Sequence, residues 1–290
     1  MKNKIKYILA IISKIKDSLI SLIRVLLFSK YNVGIKSIKD NGECYILGNG
    51  PSLKNDLIDK AEFLKSQKLF VVNDFSKSPY FEILKPQYYV FADPSYWNVG
   101  VFSDACRLIL YHIRDKTDWP LIILIPNSAF NTQIFQTTFQ SNPYIKIIDF
   151  NDASVSGFEN FSFFLYKNYL GIPPMKNVLI ACIYLANNMG LSELNILGAD
   201  HSWTKDLMVN DNNEVCLADM HFYDKTKVDY VPIRHVYGYI YKMHQILRDF
   251  AQMFESYHLL RRYTDSFDTK VYNKCPNSFI DAFERKDFNV

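Results

Sequence analysis

The sequence has no CxxC pair, no HxH or HExxH, no DxD triplet and no glycine-rich loop closing on lysine and serine. The first two absences remove zinc-finger and zinc-protease spacings. The third leaves no acidic triplet at a strand end to hold a divalent ion, and the fourth argues against an ordinary NTPase. The five cysteines (44, 106, 182, 216 and 275) are scattered, and Cys44, Cys182 and Cys275 sit in apolar runs. That pattern predicts buried thiols in a reducing compartment rather than a disulfide framework. A net charge of +3 is too small to call for a nucleic-acid partner. Internal repeats and low-complexity tracts are also missing from the body of the chain.

What is present is a chain of 290 residues, 49% hydrophobic and 16% aromatic, enough for a full-sized core. Residues 1–40 stand apart from residues 41–290. Nine Lys or Arg (Lys2, Lys4, Lys6, Lys14, Lys16, Arg24, Lys30, Lys36 and Lys39) face only Asp17 and Asp40 there. Charges interrupt the apolar run over residues 5–28, so no uncharged span of about 20 residues forms to cross a bilayer. On a helical wheel Ser13, Lys14, Asp17, Ser18, Ser21 and Arg24 gather on one side, and Ile8, Ile11, Ile12, Ile15, Leu19, Ile23 and Leu26 on the other. Such a cationic amphipathic helix predicts a membrane-surface or oligomer contact, which includes a second copy of the chain. Peripheral attachment at the inner face of a bacterial cytoplasmic membrane is the expected location.

From residue 41 short apolar runs alternate with helix-like stretches. The runs are Cys44–Leu47, Leu69–Asn73, Tyr88–Asp93, Leu121–Pro126, Ile145–Phe150, Leu194–Asp200 and Lys270–Cys275. Between them lie Asp56–Gln67, Val99–Leu110, Phe130–Gln140, Asn177–Met189 and Val236–Tyr263. The alternation predicts an α/β fold: a Rossmann-like, doubly wound, mostly parallel sheet with a lid at about 201–236. Ligands in such sheets bind beyond the carboxyl ends of the strands. There the first run ends in Gly48-Asn49-Gly50-Pro51-Ser52, a tight turn into a helix start suited to an anion. The others end at Asn73, at Asp93 and at Asp200-His201-Ser202, side chains able to read a base edge and ribose hydroxyls. Taken singly, each is an ordinary turn or cap; four on one edge point to a nucleotide site.

Of the histidines, His112, His244 and His258 read as structural. His201 follows a strand end. His221 and His235 fall in the long connection before the last helix, and either suits a general base near neutral pH. Tyr223, Arg234 and Tyr237 lie close by and could meet a departing phosphate.

Gly48-Asn49-Gly50-Pro51-Ser52-Leu53-Lys54 resembles the first motif of the bacterial lipooligosaccharide sialyltransferases (glycosyltransferase family 42). It is also similar to a broader bacterial group described as 6-hydroxymethylpterin pyrophosphokinase-like. Asn73, the Ala92-Asp93-Pro94-Ser95 run and Gly198-Ala199-Asp200 fall where the sialyltransferases carry nucleotide contacts, and Cys275-Pro276-Asn277-Ser278 matches a late motif. Asn177-Val178-Leu179 departs from the family's Thr-Ser-Gly. The resemblance implies a GT-A-like variant of the fold and a metal-independent transfer. It implies no cofactor beyond a nucleotide-sugar donor of the CMP-linked kind, carrying an acidic, sialic-acid-like sugar. The acceptor would be a glycan or glycolipid, with His235 or His221 as base and Asn277 and Ser278 near the substrate. Two alternatives stay open: pyrophosphoryl transfer to a pterin, with Asp93 and Asp200 holding Mg²⁺, and a non-catalytic nucleotide-binding subunit of a glycan assembly complex.

Overall fold

The computed structural model describes residues 2–98, 100, 103–224, 229–235 and 238–288. The elements run in the order α1 (Lys2–Phe28), β1 (Glu43–Leu47), α2 (Leu53–Lys65), β2 (Leu69–Val72), α3 (Tyr80–Leu84), β3 (Tyr88–Val90), α4 (Asp104–Lys116) and β4 (Leu121–Pro126). Then come α5 (Asn127–Phe130), α6 (Ile134–Phe139), β5 (Ile145–Phe150), α7 (Glu159–Lys167), α8 (Val178–Met189) and β6 (Glu193–Leu197). The chain closes with β7 (Leu207–Val209), β8 (Val215–Leu217), β9 (Val231–Pro232), α9 (Met243–Asp265), β10 (Lys270–Asn273) and β11 (Glu284–Arg285).

Eight strands form one sheet in the order β11-β10-β6-β1-β2-β3-β4-β5, and every neighbouring pair is parallel. The reason lies in the strands. Along β1, Cys44 and Ile46 enter the core beside α8 and α9, while Tyr45 and Leu47 enter the core beside α2 and α4. All four are buried. A strand apolar on both faces needs cover on both, which helical crossovers supply and hairpins do not. α8 is the most deeply placed helix, with residues 179–189 all buried. Asn177 opens it by accepting from the Leu179 N–H at 2.9 Å, and Gly190 closes it at φ +106.

The expected strand runs therefore all form, and the sheet is wholly rather than mostly parallel. Two helical stretches begin later than the sequence suggests, at Asp104 and Met243, and the stretch over 130–140 divides between α5 and α6. The connection expected to be a lid carries a small antiparallel sheet, β7-β8-β9.

Over residues 18–28 α1 is mounted with Ser18, Ser21 and Arg24 toward the body, while Ser13 and Lys14 are exposed. Ser21, fully buried, donates to the Ser156 carbonyl and accepts from the Ser156 N–H, both at 2.9 Å. Ser18 accepts from the Phe158 N–H at 3.0 Å, Arg24 donates to the Ser154 carbonyl, and Asn127 donates to the Phe28 carbonyl at 3.2 Å. Gly157 meets Ser18 so closely that a Cβ there would lie 2.2 Å from its Oγ. The opposite stripe, Ile5, Ile8, Ile12, Ile15, Leu19, Ile23 and Leu26, is 45–74% exposed. Among the described residues no helix is long and apolar enough to cross a membrane.

Candidate functional site

Because all eight strands are parallel, their carboxyl ends share one edge, and a deep cleft lies there. Its volume is about 590 Å³, within the usual range for small-molecule sites. Its floor is made by the ends of β1 and β6. Gly48 and Gly198 pass so near each other that a Cβ on Gly48 would lie 2.5 Å from the Gly198 carbonyl oxygen, and one on Gly198 2.6 Å from that of Gly48. Gly198 also stands at φ +62, which disfavours a side chain independently. The glycines are thus needed for one another. The Gly48 N–H donates to the Leu197 carbonyl at 2.8 Å and the Gly50 N–H to the Gly198 carbonyl at 2.9 Å. Those two donors, expected from the sequence to cradle an anion, are already taken.

Asp200 ties the floor to α2. Its Oδ2 accepts from the Ser52 N–H at 3.2 Å and from the Ser52 hydroxyl at 2.9 Å, a carboxylate placed at a helix start. The late motif lies behind this loop. Ser278 donates to the Ala199 carbonyl at 2.6 Å, the Phe279 N–H donates to the Asp200 carbonyl, and Cys275 Sγ lies 3.0 Å from Ser52 Oγ. Burial pushes the Cys275 thiol up to about 11, so it is protonated at neutral pH. Cys275 and Ser278 brace the floor from outside, Asn277 is exposed, and none of the three lines the cleft.

The β2 and β3 ends form one wall. Asn49 donates through Nδ2 to the Val72 carbonyl at 3.2 Å, yet its Oδ1 is buried without a partner. Asn73, held at φ +44 by its place at the strand end, has a buried Oδ1 in the same condition. Both residues line the cleft. Two amide oxygens without donors at one site are costly unless a ligand supplies N–H or O–H groups. Asp93 Oδ1 caps a short turn by accepting from the Ser95 N–H at 2.9 Å, and the Tyr96 hydroxyl donates to Asp74.

The other wall joins α8 to the connection. The first residues of α8 and their cap, Asn177, reach the cleft, bringing the positive end of a buried helix. His201, at φ +52, is buried at the cleft's edge and shares a hydrogen bond of 2.8 Å with Tyr257 of α9. Burial depresses its pKa to about 3, so it stays neutral. Trp203 lies against it with the rings tilted by 43° and donates to Asp219 Oδ1 at 3.0 Å. Asp219 Oδ2 lies 3.9 Å from His221 Nε2, and Asp224 Oδ2 lies 3.6 Å from His221 Nδ1 while accepting the His221 N–H at 2.7 Å. The His221 ring lies parallel to Tyr223, centroids 5.1 Å apart. The Phe222 N–H reaches the Asn49 carbonyl at 3.0 Å, pinning this segment to the floor.

The structure thus gathers Gly48, Asn49, Gly50, Pro51, Asn73, Asp93, Asp200, His201, Ser202 and His221 around one cleft. Ser52 and Tyr223 stand just behind it, the latter with a buried hydroxyl that lacks a partner. His235 stacks on Tyr239 and Arg234 pairs its backbone with Ile240, both away from the cleft lining. Tyr237 lies outside the described residues. Sequence reasoning missed Asp74, Tyr96, Trp203 and Asp219 as lining residues; only Asn177, a cap before an apolar run, left a readable signal. Five aspartates (74, 93, 200, 206 and 219) line the cleft, and the lining includes no lysine or arginine among the described residues. No three His, Cys, Asp or Glu side chains among the described residues are grouped to hold a metal ion.

No protein-family model matches the chain, and a search of curated proteins finds no match. Among solved structures the chain is similar to the MAf glycosyltransferase from Magnetospirillum magneticum AMB-1, at 12% identity and a TM-score of 0.49. The match covers 95% of this chain, which spans 38% of the length of that one.

Proposed function

We propose that the protein is a glycosyltransferase that moves a sugar from a nucleotide donor to a hydroxyl of a surface glycan, with His221 as general base. The observation that carries the reading is the pair of unpartnered amide oxygens of Asn49 and Asn73 in a cleft at the carboxyl edge of a parallel sheet. A base amino group and ribose hydroxyls are the donors such acceptors lack. The aspartate-rich lining disfavours a triphosphate, and the CMP-linked acidic sugar is proposed from the sialyltransferase-like motifs. The phosphate would lie toward the start of α8.

In this scheme the acceptor O–H gives its proton to a ring nitrogen of His221 while its oxygen bonds to the anomeric carbon. The bond from that carbon to the phosphate oxygen breaks, and the nucleoside monophosphate leaves with the electron pair. Asp219 and Asp224 flank the ring and would stabilise the imidazolium that forms. The sialyltransferase-like motifs support the same class, and metal independence is part of the proposal.

Thermal stabilisation by CMP-, UDP-, GDP- and dTDP-sugars and by ATP, with and without EDTA, tests it. A CMP-selective rise that survives EDTA is expected, worth about 2.7 kcal/mol at a hundredfold excess over Kd. A rise with ATP that needs Mg²⁺ would instead select the pterin pyrophosphokinase-like reaction. His221→Ala should abolish turnover and keep the stabilisation; unimpaired turnover in that variant would return the base role to His235, and stabilisation without any turnover in the wild-type protein would leave a non-catalytic binding subunit.

A further inference from the structure

We infer that α1 seats the cleft on an anionic bilayer, and that the acceptor is accordingly a membrane-borne, lipid-linked glycan; the second part rests on the glycosyl-transfer reading. An amphipathic helix normally turns its apolar face to its own protein. Here, over residues 18–28, the polar side is fastened to the body and the apolar stripe is left open. The fastening is specific: Ser21 exchanges two hydrogen bonds with Ser156, Ser18 receives the Phe158 N–H, and Gly157 has no room for a side chain because Ser18 fills it. The open stripe keeps a 3-4 spacing over Ile5, Ile8, Ile12, Ile15, Leu19, Ile23 and Leu26, all exposed.

Charge selects the occupant. Residues 1–40 carry nine Lys or Arg against two Asp, whereas the whole chain is only +3. A second copy of the chain would bring the same basic charge to the contact and be repelled, while an anionic lipid surface is attracted. Each basic residue near such a surface strengthens binding by about fivefold.

The anchor points of α1 follow strands whose carboxyl ends lie on the cleft's edge of the sheet. α1 is held at Asn127, directly after β4, and at residues 154–158, after β5. The cleft is lined by the ends of β1, β2, β3 and β6. In a wholly parallel sheet these ends lie along one edge, so the lipid-facing helix and the cleft share it. The two are also joined through the backbone. Val155, beside the Ser21 partner, donates to Ile172, and that segment leads into Asn177 of the cleft wall. A substrate presented at the bilayer plane is therefore on the side where the cleft is built.

The full-length protein is sedimented with vesicles of phosphatidylcholine alone and of phosphatidylcholine mixed with phosphatidylglycerol. Binding to the mixed vesicles, weakened by salt, is expected. The variant Ile12→Glu/Leu19→Glu/Ile23→Glu should stay in the supernatant with an unchanged melting temperature, since the three side chains are exposed. In parallel, a bacterial envelope glycolipid extract is embedded in those vesicles and compared with the same glycans released from lipid by mild acid. Confinement to one surface should favour the embedded acceptor by about tenfold through effective concentration, with a ratio near one in the variant. Wild-type protein that ignores mixed vesicles, or a dimer in ultracentrifugation that the variant dissolves, would overturn the bilayer assignment. Equal transfer to both acceptor forms by vesicle-bound wild type would overturn the lipid-linked acceptor. Vesicle binding needs no turnover, so a mount that binds lipid without any sugar transfer would fault the enzymatic reading alone.

Discussion

α8 and α1 are both rich in isoleucine and leucine, and they meet opposite ends. α8 is buried almost entirely, whereas the buried side chains described for α1 are Ser21 and Val25. α8 lies under a sheet face that is itself apolar, so a helix hydrophobic all round loses nothing by entering. α1 meets loops after β4 and β5 whose peptide groups want partners, and hydroxyls supply them. Apolar content alone did not decide burial; the surface on offer did.

One substitution made in both helices should open the widest gap. Leu185→Ala leaves a cavity in the core and is expected to cost about 3 kcal/mol, while Leu19→Ala should stay within about 0.5 kcal/mol. Denaturant unfolding compares them, and equal losses would mean that the α1 stripe is covered in solution. Adding atoms sharpens the same contrast. Ala10→Leu on exposed α1 should be nearly neutral, whereas Gly48→Ala puts a methyl against the Gly198 carbonyl and should cost about 1–3 kcal/mol while weakening nucleotide stabilisation.

The third contrast is in pH. His201, buried beside α9, has its folded pKa lowered from 6.5 to about 3, so the unfolded chain binds the proton first as pH falls. Its contribution is intact above pH 6.5 and is lost from there down towards 3, on the order of 1 kcal/mol per pH unit. His201→Asn should flatten that acid slope in urea melts recorded at stepped pH, and an unaltered slope would place the titration elsewhere. The smallest effect is expected from Ser21→Ala, which removes two hydrogen bonds at the α1 mount and should cost about 1 kcal/mol locally. Faster proteolysis within residues 2–29, with an unchanged global melting point, is the sign to look for.

The sheet was legible because strands covered on both faces are apolar at every position, as Leu121–Pro126 and Leu69–Val72 are. The strand-end residues of the cleft followed from the same logic. The small sheet β7-β8-β9 was not legible, since strands of two or three residues carry no period to detect. A helical wheel separated the two sides of α1 but could not say which side the protein would take. That depended on Ser156 and Phe158, distant in the chain and invisible to local pattern. The glycine-rich turn was located correctly, yet its N–H groups serve Leu197 and Gly198, a pairing that a single sequence does not encode locally. Of the two base candidates, His221 lines the cleft and His235 stacks on Tyr239, a difference in placement that the sequence pattern does not carry.

Gly48 and Gly198 each occupy the space the other's side chain would need. Neither position can be diversified alone, and changing both at once only doubles the clash. For anyone engineering this protein, or for drift acting on it, the floor of the cleft is a fixed part. Variation in what the cleft accepts is left to lining residues such as Ala218 and Met220, which can change without prising the two strand ends apart.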